Sequence, residues 1–472
     1  MPNWFSRSRD RSAPTFGDVA RSVAREAGSR EEGKRQVASD SSSLTSSIEV
    51  IPEYTVVKDL VESGPRTVLV TGGAGTGKST LIQWLRSQFD GSTIVAAPTG
   101  IAALTAGGQT IHSLCGFPPA WLLDFDIRRK SRSPVAKADL LVLDEVSMIN
   151  ANMLDAVDSF FRLNRSSSQP FGGVSVVLIG DLFQLPPIVT AETAPLFRKE
   201  YSSPKFFAAR ALQNAPFDAV ELTRPFRQHD ALFVSLLSNI REGTDVERTL
   251  QGLNSSVLIS NDGHSGAVWL SPRNADVDRL NHERLASLSG KEVTYIARKS
   301  GTFRTNPLPA PAELRVRVGA QVVMASNSQG WVNGSIATVT GVHQDRMTVR
   351  LRDSDKTFDV PPNTWEQYEY QWSEESERIE RVVVGSFTQI PANLAWAMTI
   401  HKSQGLSLDA VHLDLGSGAF ATGQTYVALS RCRSMETLSL SRPLQAKDVF
   451  VDREAVAFYG AIRGNSESSQ EE

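Results

Sequence analysis

The sequence predicts an α/β protein with parallel sheets, and the ends of three predicted strands carry this prediction. Residues 67–80 (TVLVTGGAGTGKST), 140–148 (LLVLDEVSM) and 177–187 (VLIGDLFQLPP) each place a short apolar run directly before glycines, carboxylates or an amide. The carboxyl ends of parallel strands meet at one edge of a sheet, where ligands bind. Two prolines end the third run, because proline cannot continue a strand ladder. We therefore expect one phosphate-binding edge.

The composition excludes several classes of protein. At 472 residues, 40% of them hydrophobic, the chain can bury two or three ordinary cores. Its net charge of −3 excludes a broadly basic nucleic-acid coat, so a bound polyanion would need a local basic groove. No apolar run approaches the ~18–20 residues of a membrane helix. Cys115 and Cys432 lie far apart, show no metal-ligand spacing and suggest a reducing compartment. The expected location is the cytoplasm, as in a bacterial cytoplasm and nucleoid, or another reducing intracellular compartment.

The first α/β unit is expected over residues 46–212, after a polar tail at 1–45 that has the composition of a disordered segment. Its strands read TVLVT, TIVAAP, LLVLDE and SVVLIGD, with helical segments between them. Residues 117–138 interrupt this alternation, and we interpret them as a small insertion. The insertion carries a basic cluster formed by Arg128, Arg129, Lys130 and Arg132.

A second α/β unit is expected over residues 213–465, with its first strand near Phe217. From 319 to about 390 the sequence changes to short alternating runs separated by turn residues, which predicts a small antiparallel barrel. The α/β pattern then resumes, and residues 466–472 form a second polar tail.

Residues 72–79 (GGAGTGKS) match the Gly-x4-Gly-Lys-Ser pattern of a phosphate-binding loop. Its glycines let backbone N–H groups turn toward a phosphate, and the following helix adds its N-terminal dipole. Lys78 would neutralise phosphate oxygens, and Ser79 would hold Mg²⁺. A glycine-rich turn with a surface lysine is the alternative, which the flanking strand and helix disfavour. The expected nucleotide-binding residues are Gly72, Gly73, Ala74, Gly75, Thr76, Gly77, Lys78, Ser79 and Thr80.

Three further polar residues complete the predicted catalytic edge. Asp144 can join the Mg²⁺ shell, and Glu145 can then polarise the attacking water. A helix N-cap is the alternative role for this acidic pair. Gln184 can orient the water or sense the γ-phosphate, and a plain turn residue is the alternative there.

These motifs, in this order, resemble the superfamily 1 helicases, specifically the Pif/RecD-like 5′→3′ DNA helicase branch (superfamily 1B). The resemblance covers about residues 50–450. Besides the three strand ends, it includes four segments: 97–117 (APTGIAALTAGGQTIHSLCGF), 222–243 (LTRPFRQHDALFVSLLSNIREG), 399–409 (TIHKSQGLSLD) and 423–434 (GQTYVALSRCRS). It implies two RecA-like P-loop NTPase domains in tandem. Residues 117–138 would be a 1B wedge, and 319–390 an SH3-like 2B insertion.

The resemblance also implies roles that the residues alone leave open. Arg227 and Arg431 would reach the γ-phosphate as arginine fingers, while Gln404 would link the nucleotide to DNA contact. Surface salt bridges are the alternative for the arginines. The track would be single-stranded and forked DNA, with ATP and Mg²⁺ as cofactors and a monomer as the active form. The expected DNA-binding residues are Thr99, Thr110, His112, His401 and Lys402.

One departure from the family pattern concerns adenine. Many helicases place a glutamine ahead of the P-loop, but no glutamine occurs between Gln36 and Gln83, so Tyr54 or its helix would supply only stacking or shape. Two other functions stay open: a translocase that does not unwind duplex, and an ATP-gated nucleic-acid binding module. RNA is also an open alternative as the track.

Overall fold

The structure is a computed structural model. It describes residues 49–118, 120–130, 133–213, 217–228, 230–304, 308–328, 330–331, 333–352, 354–373 and 378–468. From Pro52 onward the described residues belong to one compact unit. The predicted tail at 1–45, residues 469–472 and Arg132 lie outside the described residues. Among the described residues no helix combines the length and apolar character needed to cross a membrane.

The first sheet contains six strands that all pair in parallel, in the order β3-β2-β4-β5-β1-β6. They are β1 (Thr67–Gly72), β2 (Thr93–Ala97), β3 (Gln109–Thr110), β4 (Leu140–Leu143), β5 (Ser175–Ile179) and β6 (Phe217–Leu222). Every residue of β1, β4 and β5 is buried, as expected for central strands covered by helices on both faces.

The helices of this unit follow the strands in the alternation that the sequence predicts. They are α1 (Pro52–Glu62), α2 (Lys78–Gln88), α3 (Gly100–Thr105), α4 (Ile111–Cys115), α5 (Ala151–Arg165), α6 (Ala194–Glu200) and α7 (Arg210–Gln213). Helix α5 buries one face that includes Leu154, Val157 and Phe161, the three- and four-residue spacing of an amphipathic helix.

Strand β6 lies in the first sheet, although the sequence predicts that Phe217 opens the second unit. It pairs with β1 in parallel from Thr67–Phe217 to Gly72–Leu222. Several of its residues are only partly buried, as suits an edge strand, and local patterning does not indicate which sheet such a strand joins.

The second unit opens with α8 (Ala231–Glu242) and α9 (Val246–Ser256), followed by β7 (Leu258–Ile259), β8 (Val268–Ser271) and α10 (Asn274–Ser287). The strand–turn–helix predicted around residues 268–285 corresponds to β8 and α10.

An antiparallel region follows, and it is longer than the predicted 319–390. Its strands are β9 (Val293–Ile296), β10 (Arg298–Gly301), β11 (Glu313–Val316), β12 (Gln321–Met324), β13 (Ile336–Val342), β14 (Met347–Leu351), β15 (Thr357–Val360), β16 (Asn363–Ser373), β17 (Arg378–Gln389) and β18 (Ala392–Leu394). They form three sheets: β15-β14-β13-β12-β18, β10-β17-β16 and β11-β9. The antiparallel pairing agrees with the expectation, and the SH3-like class stays a prediction.

The second parallel sheet is completed after this region by β19 (Ala397–Thr399), β20 (Val411–Leu413) and β21 (Leu438–Leu440). Its order is β19-β8-β20-β21-β7, so the antiparallel region is inserted between two adjacent strands of one sheet. Helix α11 (Gln424–Leu429) lies between β20 and β21, and α12 (Arg453–Ser468) ends the described chain. The second tail, expected from 466, is therefore helical as far as Ser468.

The described residues of the segment 117–138 pack against the first α/β unit. They contain two single-turn 3₁₀ helices, Asp124–Asp126 and Pro134–Lys137. Trp121 packs edge-on against Phe197, with 4.9 Å between ring centroids. The Lys130 ammonium donates to the carbonyls of Ser113 and Leu114 at 3.1 and 3.0 Å, so this cation of the basic cluster holds the segment to α4.

Candidate nucleotide site between the two parallel sheets

The predicted phosphate loop joins β1 to α2, and two of its glycines have backbone angles that disfavour other residues. Gly75 (φ 79°) and Gly77 (φ 93°) are in the left-handed region. A Cβ on Gly75 would lie 2.5 Å from the Cβ of Arg227, and one on Gly77 would lie 2.5 Å from the Tyr54 hydroxyl. The loop is therefore shaped by residues from both sides of the cleft.

Lys78 begins α2 and turns back over its own loop. Its Nζ donates to the carbonyls of Gly72 and Gly73, each at 2.8 Å. Burial lowers the pKa of the Lys78 ammonium, while the charges of Asp181 and Glu145 oppose that shift. A partly buried cation that faces carboxylates and is held only by carbonyls suits an anionic ligand. Ser79 is exposed in the first turn of α2, and Thr80 is half-buried.

Asp144 and Glu145 follow β4, as predicted. The Glu145 amide donates to Asp144 Oδ1 at 2.9 Å, and Glu145 has a left-handed φ of 51°, a strained conformation for a residue with a side chain. Burial, and then the Glu145 carboxylate, raise the pKa of Asp144 to about 7. Two neighbouring carboxylates whose negative charge is only partly balanced by nearby cations are suited to bind a divalent cation.

The described residues contain no group of three or more His, Cys, Asp or Glu side chains that could hold a metal by itself. A cation bound at Asp144 would therefore need phosphate oxygens to complete its shell, which fits Mg²⁺ carried with a nucleotide.

Gln184 and Gln404 connect the two parallel sheets. Gln404 Nε2 donates to Gln184 Oε1 at 3.1 Å and to Glu145 Oε2 at 3.3 Å. Gln184 Nε2 donates in turn to Asp181 Oδ2 at 3.3 Å. Gln404 follows β19, whereas Gln184 follows β5, so the structure brings these two predicted residues together across the cleft.

The two predicted arginine fingers lie beside each other on the far side of the cleft. Arg227 donates to the Ser430 carbonyl at 3.1 Å. Arg431 is only 1% exposed and donates to carbonyls, including that of Val427 at 2.9 Å, and to Ser430 Oγ. Burial, and then the Arg431 charge, lower the pKa of Arg227 to about 9. Within the described part of the chain neither guanidinium forms a salt bridge, so both keep charge available for an anion.

Three residues at the cleft were missed as site residues: Tyr426, Asp181 and Arg241. Tyr426 Oη donates to Asp181 Oδ2 at 2.8 Å and accepts the Ala74 N–H at 2.8 Å. Arg241 forms a buried salt bridge with Asp181, with 3.1 Å between Nε and Oδ1. All three lie in the segments quoted for the family resemblance, but residue type alone does not indicate that they meet.

The predicted DNA-binding residues lie at or just after the ends of strands in the two parallel sheets. Thr99 and Thr110 cap α3 and α4, because their hydroxyls accept the N–H groups of Ala102 and Ser113. His112 Nδ1 lies 3.3 Å from the Phe117 carbonyl. The remaining two, His401 and Lys402, are exposed after β19. Their contact with DNA stays a prediction.

Tyr54 does not face an open base site. Its hydroxyl donates to the Gly77 carbonyl at 2.7 Å, and its ring packs on Trp84 at 5.7 Å. Tyr54 therefore supports the phosphate loop, and adenine selectivity is not explained by this residue.

Comparisons with known proteins agree with this geometry. The ATP-dependent DNA helicase Pif1 of Bdellovibrio bacteriovorus is 32% identical over 431 residues, which cover 88% of this chain and 93% of that protein. The chain belongs to the PIF1-like helicase family. The family model described as PIF1-like helicase matches residues 48–249, and one described as helicase matches 380–459. The human ATP-dependent DNA helicase PIF1 is 32% identical over 415 residues, but the chain spans only 62% of its length.

Solved structures of this family match nearly the whole described chain. Pif1 from Bacteroides sp in complex with ADP-AlF4 superposes with a TM-score of 0.82 at 32% identity, covering 89% of this chain and 98% of that one. The same relative has a TM-score of 0.80 when unliganded and 0.65 when bound to single-stranded DNA. The two parallel sheets are thus the tandem RecA-like domains of a superfamily 1B helicase, which confirms the predicted family and fold class.

Proposed function

We propose that the protein is an ATP-dependent DNA helicase that moves 5′→3′ on single-stranded DNA and separates the duplex ahead of it. One observation carries the ATPase part of this proposal: Gln404 of the second RecA-like domain hydrogen-bonds to both Glu145 and Gln184 of the first. Residues around a phosphate loop are thereby assembled from two domains, and closing such a cleft can convert ATP binding into domain movement.

The residues divide the chemistry among them. Lys78 and the loop amides bind the phosphates, and Ser79 with Asp144 would hold Mg²⁺, which neutralises phosphate oxygens when bound. Glu145 polarises the attacking water, and its hydrogen bond from Gln404 orients the carboxylate. Arg227 and Arg431 supply positive charge for the transition state.

DNA is the proposed track because the relatives that match most of the chain are named DNA helicases, and a solved relative is bound to single-stranded DNA. Threonine, histidine and lysine side chains at the strand ends suit phosphate contact without reading sequence. A monomer contains both halves of the ATP site, which supports monomeric activity. One solved relative concerns unwinding at forked DNA by two coordinating Pif1 helicases, so protein concentration must be varied in any test.

We also propose a reducing intracellular compartment, such as a bacterial cytoplasm and nucleoid. Both cysteines are buried and free, and burial raises the pKa of each thiol, which keeps it protonated and unreactive.

Strand displacement on tailed duplexes tests the proposal. With ATP and Mg²⁺, a duplex with a 5′ single-stranded tail is expected to open, and one with a 3′ tail is expected to stay closed. Lys78→Ala removes the phosphate-binding cation and should abolish both unwinding and DNA-stimulated hydrolysis, losing at least about a hundredfold in rate. Opening of only the 3′-tailed duplex would refute the polarity. Stimulated hydrolysis without displacement of either strand would instead support the non-unwinding translocase.

A further inference from the structure

The P-loop amide of Ala74 is already hydrogen-bonded by a residue of the opposite domain. In a phosphate loop such amides point inward and bind phosphate oxygens. Here the Ala74 N–H donates to Tyr426 Oη at 2.8 Å, and a Cβ on neighbouring Gly73 would lie 3.6 Å from the same oxygen. A phenol oxygen from the second domain thus lies at the first domain's phosphate loop.

The position of this oxygen is determined by a buried network. Tyr426 is 3% exposed and donates its proton to Asp181, which is 0% exposed. Asp181 also accepts from the backbone of Phe183 at 3.2 Å and from Arg241 at 3.1 Å. Burial and the adjacent Asp181 carboxylate raise the pKa of Tyr426, so the phenol stays protonated and keeps a lone pair directed at Ala74.

The packing at the start of helix α11 resists movement of the whole helix, so Tyr426 can leave Ala74 only by a local shift of its ring. Gly423 precedes this helix with a left-handed φ of 71°, and a Cβ there would lie 2.3 Å from the Phe183 carbonyl. The start of α11 is thus pressed against the segment that carries Asp181 and Gln184. A cavity of about 190 Å³, lined by Tyr426, Ala74, Leu237 and Arg241 among others, leaves room for a local shift of the ring.

We propose that the Tyr426 hydroxyl is a phosphate surrogate: it occupies the Ala74 amide in the nucleotide-free helicase, and a phosphate oxygen of ATP displaces it. Tyr426 is then a positioning residue by which the second domain responds to the nucleotide. When the hydroxyl is displaced, Asp181 keeps its salt bridge with Arg241 but its hydrogen bond from Tyr426 changes. Asp181 also accepts a hydrogen bond from Gln184, and Gln184 is linked through Gln404 to Glu145. The displacement therefore reaches the groups that act on water. This inference rests on ATP binding at the loop.

The test is nucleotide affinity in Tyr426→Phe, measured by titration with Mg²⁺ and a non-hydrolysable ATP analogue. The ring is kept and only the competing oxygen is lost. Because one hydrogen bond no longer has to be broken, we expect binding about three- to tenfold tighter than in the wild type. Tyr295→Phe is the matched control, because the Tyr295 hydroxyl donates to the carbonyls of His343 and Arg346 in the antiparallel region, away from the phosphate loop. This variant should bind the analogue with the affinity of the wild type. Unchanged or weaker binding in Tyr426→Phe would overturn the surrogate role.

Amide hydrogen exchange reports on the same contact without measuring affinity. In nucleotide-free wild-type protein the Ala74 amide should be protected, and in Tyr426→Phe it should exchange faster, while with the analogue bound the two should agree. Free exchange of Ala74 in the nucleotide-free wild type would overturn the inference. Failure of the wild type to bind the analogue would refute the proposed function itself, so the two failures are distinguishable.

Discussion

At the scale of single residues, the acidic pair combines buried charge with a strained backbone. Asp144 is 9% exposed and Glu145 follows it with a left-handed backbone. Burial raises the pKa of both carboxyls. The Glu145 charge adds to this rise for Asp144, whose pKa reaches about 7, and the Asp181 charge adds to it for Glu145, although Lys78 lowers both. The folded protein therefore holds negative charge that the unfolded chain would place in water, and this cost is part of what a bound cation relieves.

The pH dependence of stability follows from the sign of this shift. A carboxyl whose folded pKa exceeds its unfolded value of about 3.9 destabilises the fold as pH rises from about 4 to 7, and the cost is constant above that. Asp144→Asn should therefore abolish hydrolysis yet stabilise the nucleotide-free protein by about 1–3 kcal/mol at pH 8, with a smaller gain at pH 5. Denaturation across this range measures it. The exposed Asp90→Asn is the charge-removal control, and a gain that falls with rising pH would contradict the assignment.

At the scale of elements, α12 connects the second domain back to the first. Ala455, Tyr459 and Ile462 are buried at helical spacing. Phe458 stacks on Phe207, with ring centroids 4.5 Å apart and an interplanar angle of 15°. Arg463 pairs with Glu221 of β6 at 2.9 Å. The helix lies across the inter-domain boundary, so its packing stabilises one relative position of the domains.

Truncation of the stacked ring tests this packing. Phe458 is partly buried, so Phe458→Ala should lower the free energy of unfolding by about 2–3 kcal/mol, somewhat less than for a fully buried phenylalanine. Val456→Ala, two residues earlier on the exposed face, should stay within about 0.5 kcal/mol of the wild type. Denaturant unfolding of both variants gives the comparison. Equal free energies of unfolding for the two variants would show that α12 does not stabilise the structure through Phe458.

At the scale of the whole molecule, a short chain of side-chain amides crosses the cleft, and we expect it to couple ATP chemistry to movement. Gln184 belongs to the first domain and Gln404 to the second, and their 3.1 Å hydrogen bond spans the cleft. Gln404 also lies two residues from Lys402, which is expected to contact DNA. A change at the γ-phosphate therefore has a direct physical path to the second domain's strand ends.

Gln184→Ala tests this path in the whole 472-residue chain. Nucleotide and single-stranded DNA should bind within about twofold of the wild type, because neither the loop nor the exposed strand ends change. Strand displacement per ATP hydrolysed should fall about tenfold, because the link to Gln404 is lost. Gln88→Ala, an exposed glutamine of the same domain, serves as the control. Unchanged displacement per ATP in Gln184→Ala would exclude the relay while leaving the helicase assignment intact.

The sequence by itself determined the local chemistry of this protein. Glycine spacing, a preceding apolar strand and a following helix specify the loop around Lys78, and the acidic pair after β4 needs only its own strand to be recognised. The family resemblance rests on such segments and is confirmed. Each signal lies within about 20 neighbouring residues, where backbone sterics and hydrogen bonding act directly.

Only the tertiary structure decided which distant segments meet. It placed β6 in the first sheet, extended the antiparallel region back to Val293, and brought Tyr426 to Asp181 from 245 positions away. The same is true of Arg241, whose charge is tolerated inside the protein only because Asp181 faces it. Such contacts depend on the packing of whole domains, and no local period or spacing in the chain encodes them. The three strand ends predicted a phosphate-binding edge, and the fold brought Tyr426 of the other domain to the Ala74 amide at that edge.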